Sequence, residues 1–345
     1  MKKKRIFLGG YINHLSAQNI NCKSIATHLN KNKYEVRTLV LGDSGFPKIE
    51  GVKLYKVSNV LFSISNTISF VRAVIWSDIC YLPKHQYTPK IALKIASYIG
   101  VKVFTTIEGN LCDTTRKNMI DNFGGLNVMR QYFSLIPNIF GITKHIIENA
   151  NCGIQLGEEP LFLGVEKQDF YFVKKARPLK NLIFIGSLIE RKEAREIIEL
   201  AKYFPELTFN IVGDGPLKER LKSDCGNNVT FYNRLDHKQL SILLQDMDLH
   251  FLPSKSEGFP KVILEAASAS IPSVLYDSYG ASDWVINNEN GFIVSSFDQI
   301  HSLINDLLDN PKLLLECSEK VLILAEQFDW KNQIVNWEKR IENLK

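Results

Sequence analysis

Lys180-Asn-Leu-Ile-Phe-Ile-Gly186 is a short apolar run that ends in glycine, and Leu207-Thr-Phe-Asn-Ile-Val-Gly213 repeats that form after a helical stretch. The stretch between them, Ala194 to Phe204, has helical spacing and Pro205 near its end. Continuous apolar runs of this length, joined by a helix, are the mark of buried parallel strands. The alternation goes on. Val229–Tyr232, Leu249–Leu252 and Ser273–Tyr276 read as strands, while Gln239–Met247 and Ile263–Ser270 read as helices. About six such units complete a doubly wound domain.

The first half shows the same alternation. Ile6–Gly10, Arg37–Leu41 and Val101–Ile107 read as strands, and Asn19–Leu29 and Pro89–Tyr98 as helices. A length of 345 residues suits two domains. The charged stretch Lys174-Lys-Ala-Arg-Pro178 is the expected boundary. We therefore expect an α/β chain of two Rossmann-like, doubly wound domains facing across a cleft. The expected parts are 1–175, 176–328 and an amphipathic C-terminal helix, 329–345, packing back on the first domain.

Composition narrows the classes. At 45% apolar residues the chain can bury a real core, which excludes a disordered protein. Residues 1–175 carry 23 Lys and Arg against 12 Asp and Glu, net +11; the rest carry 19 against 25, net −6. A basic first half suits an anionic acceptor or an anionic membrane surface, although scattered surface charge explains it as well. No nucleic-acid recognition motif accompanies it. The six cysteines form no C-x-x-C pair, so zinc and redox motifs lack support, and a reducing cytosol without a disulfide framework is expected. The apolar run after Met1-Lys-Lys-Lys-Arg5 is too short for a signal peptide. Val57–Trp76 is the most membrane-like stretch, but Ser, Asn and Arg72 break it. The expected location is cytoplasmic, with peripheral contact to the inner membrane face as the most that this stretch supports.

The richest chemistry lies in Pro253-Ser-Lys-Ser-Glu-Gly-Phe-Pro-Lys-Val-Ile-Leu-Glu-Ala266, placed after a strand and opening a helix. Gly258 permits close backbone passage, and N–H groups of Gly258, Phe259 and the residues after Pro260 can face an anion. Glu257 and Glu265 stand eight residues apart, close to one helical face, where they can accept from sugar or ribose hydroxyls. A helix start with an acidic residue near its dipole, and a carboxylate on a wet face, is the plain alternative.

The segment resembles the E-x7-E signature of the retaining glycosyltransferases of family four, which have the GT-B fold. The resemblance implies that Glu257 contacts the transferred sugar and Glu265 the nucleotide ribose. Phe184-Ile-Gly-Ser-Leu-Ile-Glu-Arg-Lys192 is similar to that family's F-V-G-R-L-x-x-x-K-G, which puts Lys192 on the donor diphosphate. Two positions depart: Ser187 stands for the usual Arg and Glu193 for the last Gly. Arg191 is the candidate replacement cation. Further matches are Ile211-Val-Gly213-Asp-Gly-Pro216, the turn Asn233-Arg234-Leu235 near the nucleotide base, Met247–Ser254, and Tyr279 through Phe292. The likeness is good over about residues 180–295.

In the first half, Gly9-Gly10 is expected to close the first strand and pass near donor phosphate or acceptor, a plain strand-to-helix turn being the alternative. Glu108 stands where relatives often carry His and is a candidate to orient or deprotonate the acceptor hydroxyl. His14 and His85 are the other polar candidates, each with a structural reading beside the functional one. The resemblance implies transfer from a nucleotide-sugar co-substrate, UDP- or GDP-linked, with retention by same-face attack and no protein nucleophile. No cofactor and no metal are expected, since no D-x-D motif stands at a suitable place. A saccharide or lipid-linked saccharide acceptor of bacterial surface polysaccharide synthesis is expected. An epimerase, a non-catalytic scaffold and a dehydrogenase were the competing classes; the dehydrogenase lacks its G-x-G-x-x-G.

Overall fold

The computed structural model describes residues 2–42, 45–112, 119–173 and 177–345. Its contacts divide the chain into two compact units, Met1–Leu163 with Trp330–Lys345, and Gly164–Asp329. The boundary stretch expected at 174–178 lies in large part outside the described residues. The units part instead at 163/164 and again at 329/330.

The first unit runs β1 (Lys4–Tyr11), α1 (Ala17–His28), β2 (Tyr34–Leu41), β3 (Val52–Val57), α2 (Phe62–Trp76), β4 (Ile79–Tyr81), α3 (Lys90–Ile99), β5 (Lys102–Ile107), α4 (Met119–Phe123), α5 (Leu126–Phe133), β6 (Asn138–Gly141) and α6 (Lys144–Glu148). Its sheet has the order β3-β2-β1-β4-β5-β6, all parallel. The second unit runs α7 (Lys167–Phe170), β7 (Asn181–Ile185), α8 (Arg195–Tyr203), β8 (Thr208–Val212), α9 (Lys218–Asp224), β9 (Val229–Tyr232), α10 (His237–Leu244), β10 (Leu249–Leu252), α11 (Lys261–Ser268), β11 (Ser273–Tyr276), β12 (Phe292–Val294), α12 (Phe297–Asp309) and α13 (Pro311–Gln327). Its order, β12-β11-β10-β7-β8-β9, repeats the first in parallel pairing. Two doubly wound sheets are therefore present, as the alternation predicts.

The last helix, α14 (Trp330–Glu342), belongs to the first unit by its contacts. Trp330 and Trp337 are fully buried there, and Trp337 Nε1 donates to Phe162 O at 2.8 Å. Glu338 accepts from Asn30 N at 2.7 Å, and Arg340 lies over the Phe140 ring at 5.2 Å.

Central strands are buried on both faces. All residues of β10 and all but the first of β7 are buried, as sheets covered on both sides require. Caps define several helix starts: Asp236 and Gln239 form a reciprocal capping box on α10, and Ser296 caps α12.

Two expectations change. Gly9 and Gly10 do not close β1 but sit inside it, where the register with β2 skips from Leu8–Thr38 to Tyr11–Leu39. The Thr38 hydroxyl bridges this bulge, donating toward Leu8 O and Gly10 O, both at 3.0 Å. A Cβ on Gly10 would stand 2.7 Å from the Cys22 side chain, so tight packing of α1 on β1 demands the glycine. The second change is a disulfide between Cys112 and Cys152, joining residues 40 apart. Single cysteines far apart in sequence gave no spacing signal for it. Cys22, Cys80 and Cys317 are buried free thiols.

The tightest backbone approach is at Gly213, just after β8. A Cβ there would lie 1.9 Å from Gly186 O, just after β7, and the residue has φ of +154°. We expect Gly213→Ala to destabilise the second unit by about 3 kcal/mol or more, because backbone and not a movable side chain blocks the methyl. Gly109→Ala, with nothing within 4 Å of its Cβ, is the matched control. Equal melting temperatures for the two variants would refute this reading.

Candidate functional site

In the second unit, β7 and β10 are sheet neighbours with Leu249 opposite Leu182. From β7 the chain proceeds to β8 on one side, whereas β10 and β11 lie on the other. The crevice between the C-terminal ends of β7 and β10 is thus the topological switch point, where such sheets bind ligands. The loop after β7 carries Gly186, Ser187 and a 3-10 turn, Glu190–Lys192. The loop after β10 carries Ser254 to Pro260 and leads into α11.

The two loops are tied together. Lys255 N donates to Arg191 O at 3.1 Å, and the Arg191 guanidinium donates to Ser256 O. Lys192 Nζ stands 2.5 Å from Glu257 Oε1, and Arg191 Nη1 stands 3.2 Å from Glu257 Oε2. The Glu257 and Lys192 side chains are only 9% and 12% exposed, so water screens this pair little. Burial pulls the Lys192 pKa below its ordinary value; Glu257 works against that, and Arg191 adds to it. Two cations and one carboxylate leave the cluster net positive.

Glu193 follows in the left-handed region, at φ +48°, where the resembling pattern carries glycine. That conformation costs a non-glycine residue about 1–2 kcal/mol. Its carboxylate meets Lys255 Nζ at 2.6 Å.

Around the cluster lie buried polar atoms with no hydrogen-bond partner among the described residues: His250 Nε2, Ser254 Oγ and Tyr279 OH. His250 is wholly buried, and its Nδ1 shares a hydrogen bond with Ser273 Oγ at 2.8 Å. Burial, with Lys192 second, lowers its pKa to about 3, so the ring is neutral. Burial, then Glu257, pushes the Tyr279 hydroxyl well above its ordinary value. Orphaned groups of this kind call for a polar occupant.

Glu265 lies on α11 and is 8% exposed. Burial raises its pKa, while His237 and Lys261 lower it. No side chain caps α11, whose N-cap is Pro260, so its first N–H groups are available to an anion. Gly258 is part-exposed beside it. The Phe259 ring turns into the core instead, 5.2 Å from Trp284 and 5.4 Å from Phe328, so only its backbone is placed for a ligand. Asn233 and Arg234 are exposed after β9, and Leu235 is half-buried. Lys218 was not foreseen: buried, it donates to Asn233 Oδ1 at 2.5 Å. Its only sequence signal is a lysine soon after the Gly213–Pro216 turn.

In the first unit, Glu108 follows β5 and is part-buried, with Asn21 Nδ2 at 3.3 and 3.4 Å from its oxygens. His85 is buried and neutral, with Nε2 2.7 Å from Thr105 Oγ1 and its ring 4.9 Å from Phe133; burial lowers its pKa to about 3. That is a structural role. His14 is exposed. Lys84, the neighbour of the candidate His85, is buried and has no signal in the sequence.

Among the described residues no group of three His, Cys, Asp or Glu side chains could hold a metal ion.

Residues 167–321 match the family model "Glycosyl transferases group 1". Of the curated relatives, a UDP-Gal:alpha-D-GlcNAc-diphosphoundecaprenol alpha-1,3-galactosyltransferase of Escherichia coli is 31% identical over 222 residues, covering 61% of this chain and 52% of that one. An uncharacterized glycosyltransferase of Haemophilus influenzae is 28% identical over 170 residues, covering 46% and 48%. The chain thus spans about half the length of these relatives. Among solved structures, Anabaena HepE in complex with UDP and glucose superposes with a TM-score of 0.75 at 16% identity, over 99% of this chain and 100% of that one. The apo form of the lipopolysaccharide outer core galactosyltransferase WaaB gives 0.71 at 16%, over 98% and 99%.

The fold is that of the GT-B proteins, two doubly wound sheets in one chain. Over residues 167–321, which lie in the second unit, the chain is similar to the glycosyl transferases group 1 family.

Glu196, in the first turn of α8, accepts from Tyr276 OH at 2.7 Å. Burial raises its pKa to about 7; the Tyr276 bond lowers it, Glu193 raises it and Lys255 lowers it. The folded chain then holds a proton that the unfolded chain releases above its ordinary carboxylate pKa. This contribution is complete in acid and is lost as pH rises through about 7. Glu196→Gln stays neutral, so its melting temperature relative to wild type should climb between pH 5 and pH 8. A pH-independent difference would rule the assignment out.

Proposed function

We propose that the chain transfers a hexose from a UDP-linked donor to a saccharide acceptor, with retention of configuration. The observation that carries this is the Glu257–Lys192–Arg191 cluster at the β7/β10 switch point. A departing nucleoside diphosphate gains negative charge in the transition state, and preformed cations and uncapped N–H groups stabilise it there. Lys192, with Arg191 beside it, is the diphosphate clamp, and the first turn of α11 adds its dipole. Glu257 holds the two cations in place and faces the sugar hydroxyls. Glu265 is the ribose partner, its raised pKa marking a carboxyl that gains from hydroxyl contacts. Gly186, Ser187, Gly213, Gly258 and Pro260 shape the backbone around the donor, and Asn233, Arg234 and Leu235 lie toward the base. The leaving phosphate assists same-face attack, so no protein nucleophile is needed.

UDP is the nucleotide named with HepE, and a UDP-galactose donor is named for the E. coli relative. That relative also names a diphosphoundecaprenol-linked acceptor. On this basis we take the acceptor to be a lipid-linked saccharide of surface polysaccharide synthesis. The first unit supports a membrane-surface location. Ile64, Ile68 and Ile75 are exposed at helical spacing along α2, after an exposed Leu61 at its N-cap and with Arg72 between the last two. On α3, Ile91 and Tyr98 are exposed beside Lys90 and Lys94. Among the described residues no helix is long and apolar enough to cross a membrane.

UDP should raise the melting temperature of the wild-type protein, since it binds the folded form alone. Glu265→Ala should abolish that shift. Glu257→Gln should keep UDP binding yet lose about 100-fold or more in sugar transfer from a panel of UDP-hexoses. Full transfer by Glu257→Gln would overturn the proposed site.

Vesicles test the location. Sedimentation with anionic vesicles should be salt-sensitive and weakened several-fold by Ile64→Glu with Ile68→Glu. Equal binding to neutral and anionic vesicles would contradict it.

A further inference from the structure

The first unit has its own switch point, between the C-terminal ends of β1 and β4. β1 ends at Tyr11; the chain beyond β4 reads Leu82-Pro83-Lys84; Glu108 follows β5, the next strand along. Lys84 is 9% exposed, and among the described residues its ammonium makes no hydrogen bond and no ion pair. It rests over two aromatic faces instead, 5.4 Å from the Tyr11 ring centre and 5.1 Å from that of Tyr87.

The support is built with care. Tyr11, Tyr87 and Phe62 form a triangle of rings with centroids 6.1 to 6.3 Å apart. Asn66, buried on α2, accepts from Tyr11 OH at 2.7 Å and donates to the Tyr87 backbone carbonyl at 2.8 Å, holding the Tyr11 ring and the Tyr87 main chain beneath the ammonium. Glu108 and the buried Cys22 are the titratable groups whose fields reach Lys84. Burial lowers the lysine's pKa, and those two groups oppose the change.

A lysine that is buried without a counter-ion costs stability, and a neutral side chain of similar length would pack there at no such cost. A cation so placed at a ligand-binding edge is poised to receive an anion. We propose that Lys84 is the anion-recognising residue of the acceptor subsite, binding the diphosphate that links the acceptor sugar to its lipid, beside Glu108. This rests on the proposed function above and adds to it the residue that reads the acceptor's charge.

The test is equilibrium binding to the full chain, with the donor side filled by UDP. The probes are N-acetylglucosaminyl diphosphate bearing a short alkyl chain, and the neutral alkyl N-acetylglucosaminide. Wild type should bind the diphosphate probe about 10-fold tighter or more. Lys84→Met should erase that preference, leave affinity for the neutral probe and for UDP unchanged, and melt no lower than wild type. Lys84→Arg should keep most of the preference. A wild-type preference that survives in Lys84→Met, or a wild type without one, overturns the proposal; in either case UDP-hexose transfer to saccharides still stands on its own assay. If Lys84→Met melts well below wild type, the lysine is structural and the proposal also falls.

Discussion

Every strand within each sheet runs the same way, and this constraint arranges all the chemistry. A parallel sheet delivers the C-terminal ends of its strands to one edge. Reversal of strand order between β1 and β4, and between β7 and β10, then opens a crevice at that edge. Groups remote in sequence arrive there together: Lys192 and Glu257 from either side of one crevice, Tyr11 and Lys84 from either side of the other. None of these meetings needs local sequence proximity. They need only that the central strands be apolar enough to lie buried between helices, as β7 and β10 are.

Close approach of the loops has its own requirement. The chain after β7 and the chain after β8 touch through Gly186 and Gly213, and Gly215 meets Leu188 O in the same way, its would-be Cβ 2.4 Å from that oxygen. Leu188 N donates to Asp214 O at 2.9 Å, so the contact is bonded as well as close. This backbone seam fixes the path from β7 toward Lys192. Glu193 then turns in the left-handed region without glycine's freedom, and its pair with Lys255 ties the strained turn to the loop after β10. Strain of this kind is held where the surroundings over-determine the backbone.

Legibility in the sequence follows burial and period. The buried strands β10 and β11 match the sequence reading to the residue, and α8, α11 and α14 to within about two residues, because apolar runs or helical stripes mark them. β3 was missed: most of its residues are at least part-exposed, and it is an edge strand. β4 and β12 have three residues each, too few for a periodic signal. In the site, Glu257, Lys192 and Glu265 were visible because a spaced pattern encloses them. Arg191 was foreseen only as a substitute for the missing arginine at Ser187, and the structure puts its guanidinium on Glu257. Lys84 and Lys218 escaped notice because a single lysine reads as surface, and burial is a property of the fold. The Cys112–Cys152 bond escaped for the same reason, its partners being 40 residues apart.

Lys192 and Lys84 solve one problem in opposite ways. Lys192 is paired with a carboxylate 2.5 Å away, so an arriving anion must compete with Glu257 or share its cations. The pair lowers the cost of holding charge there and weakens the first contact with ligand. Lys84 has only π faces beneath it, worth about 0.5–2 kcal/mol each at most, so much of its desolvation is uncompensated. An anion that reaches Lys84 offsets part of that cost and displaces no hydrogen-bonded partner of the ammonium among the described residues. The first arrangement suits a group whose charge grows during reaction, because the cations then strengthen their hold as Glu257 is released to sugar hydroxyls. The second suits a group whose charge is constant and serves as a mark of identity. On the proposed function a donor diphosphate is of the first kind and an acceptor's linking diphosphate of the second, and the different pairing of the two lysines fits the different work each anion would do.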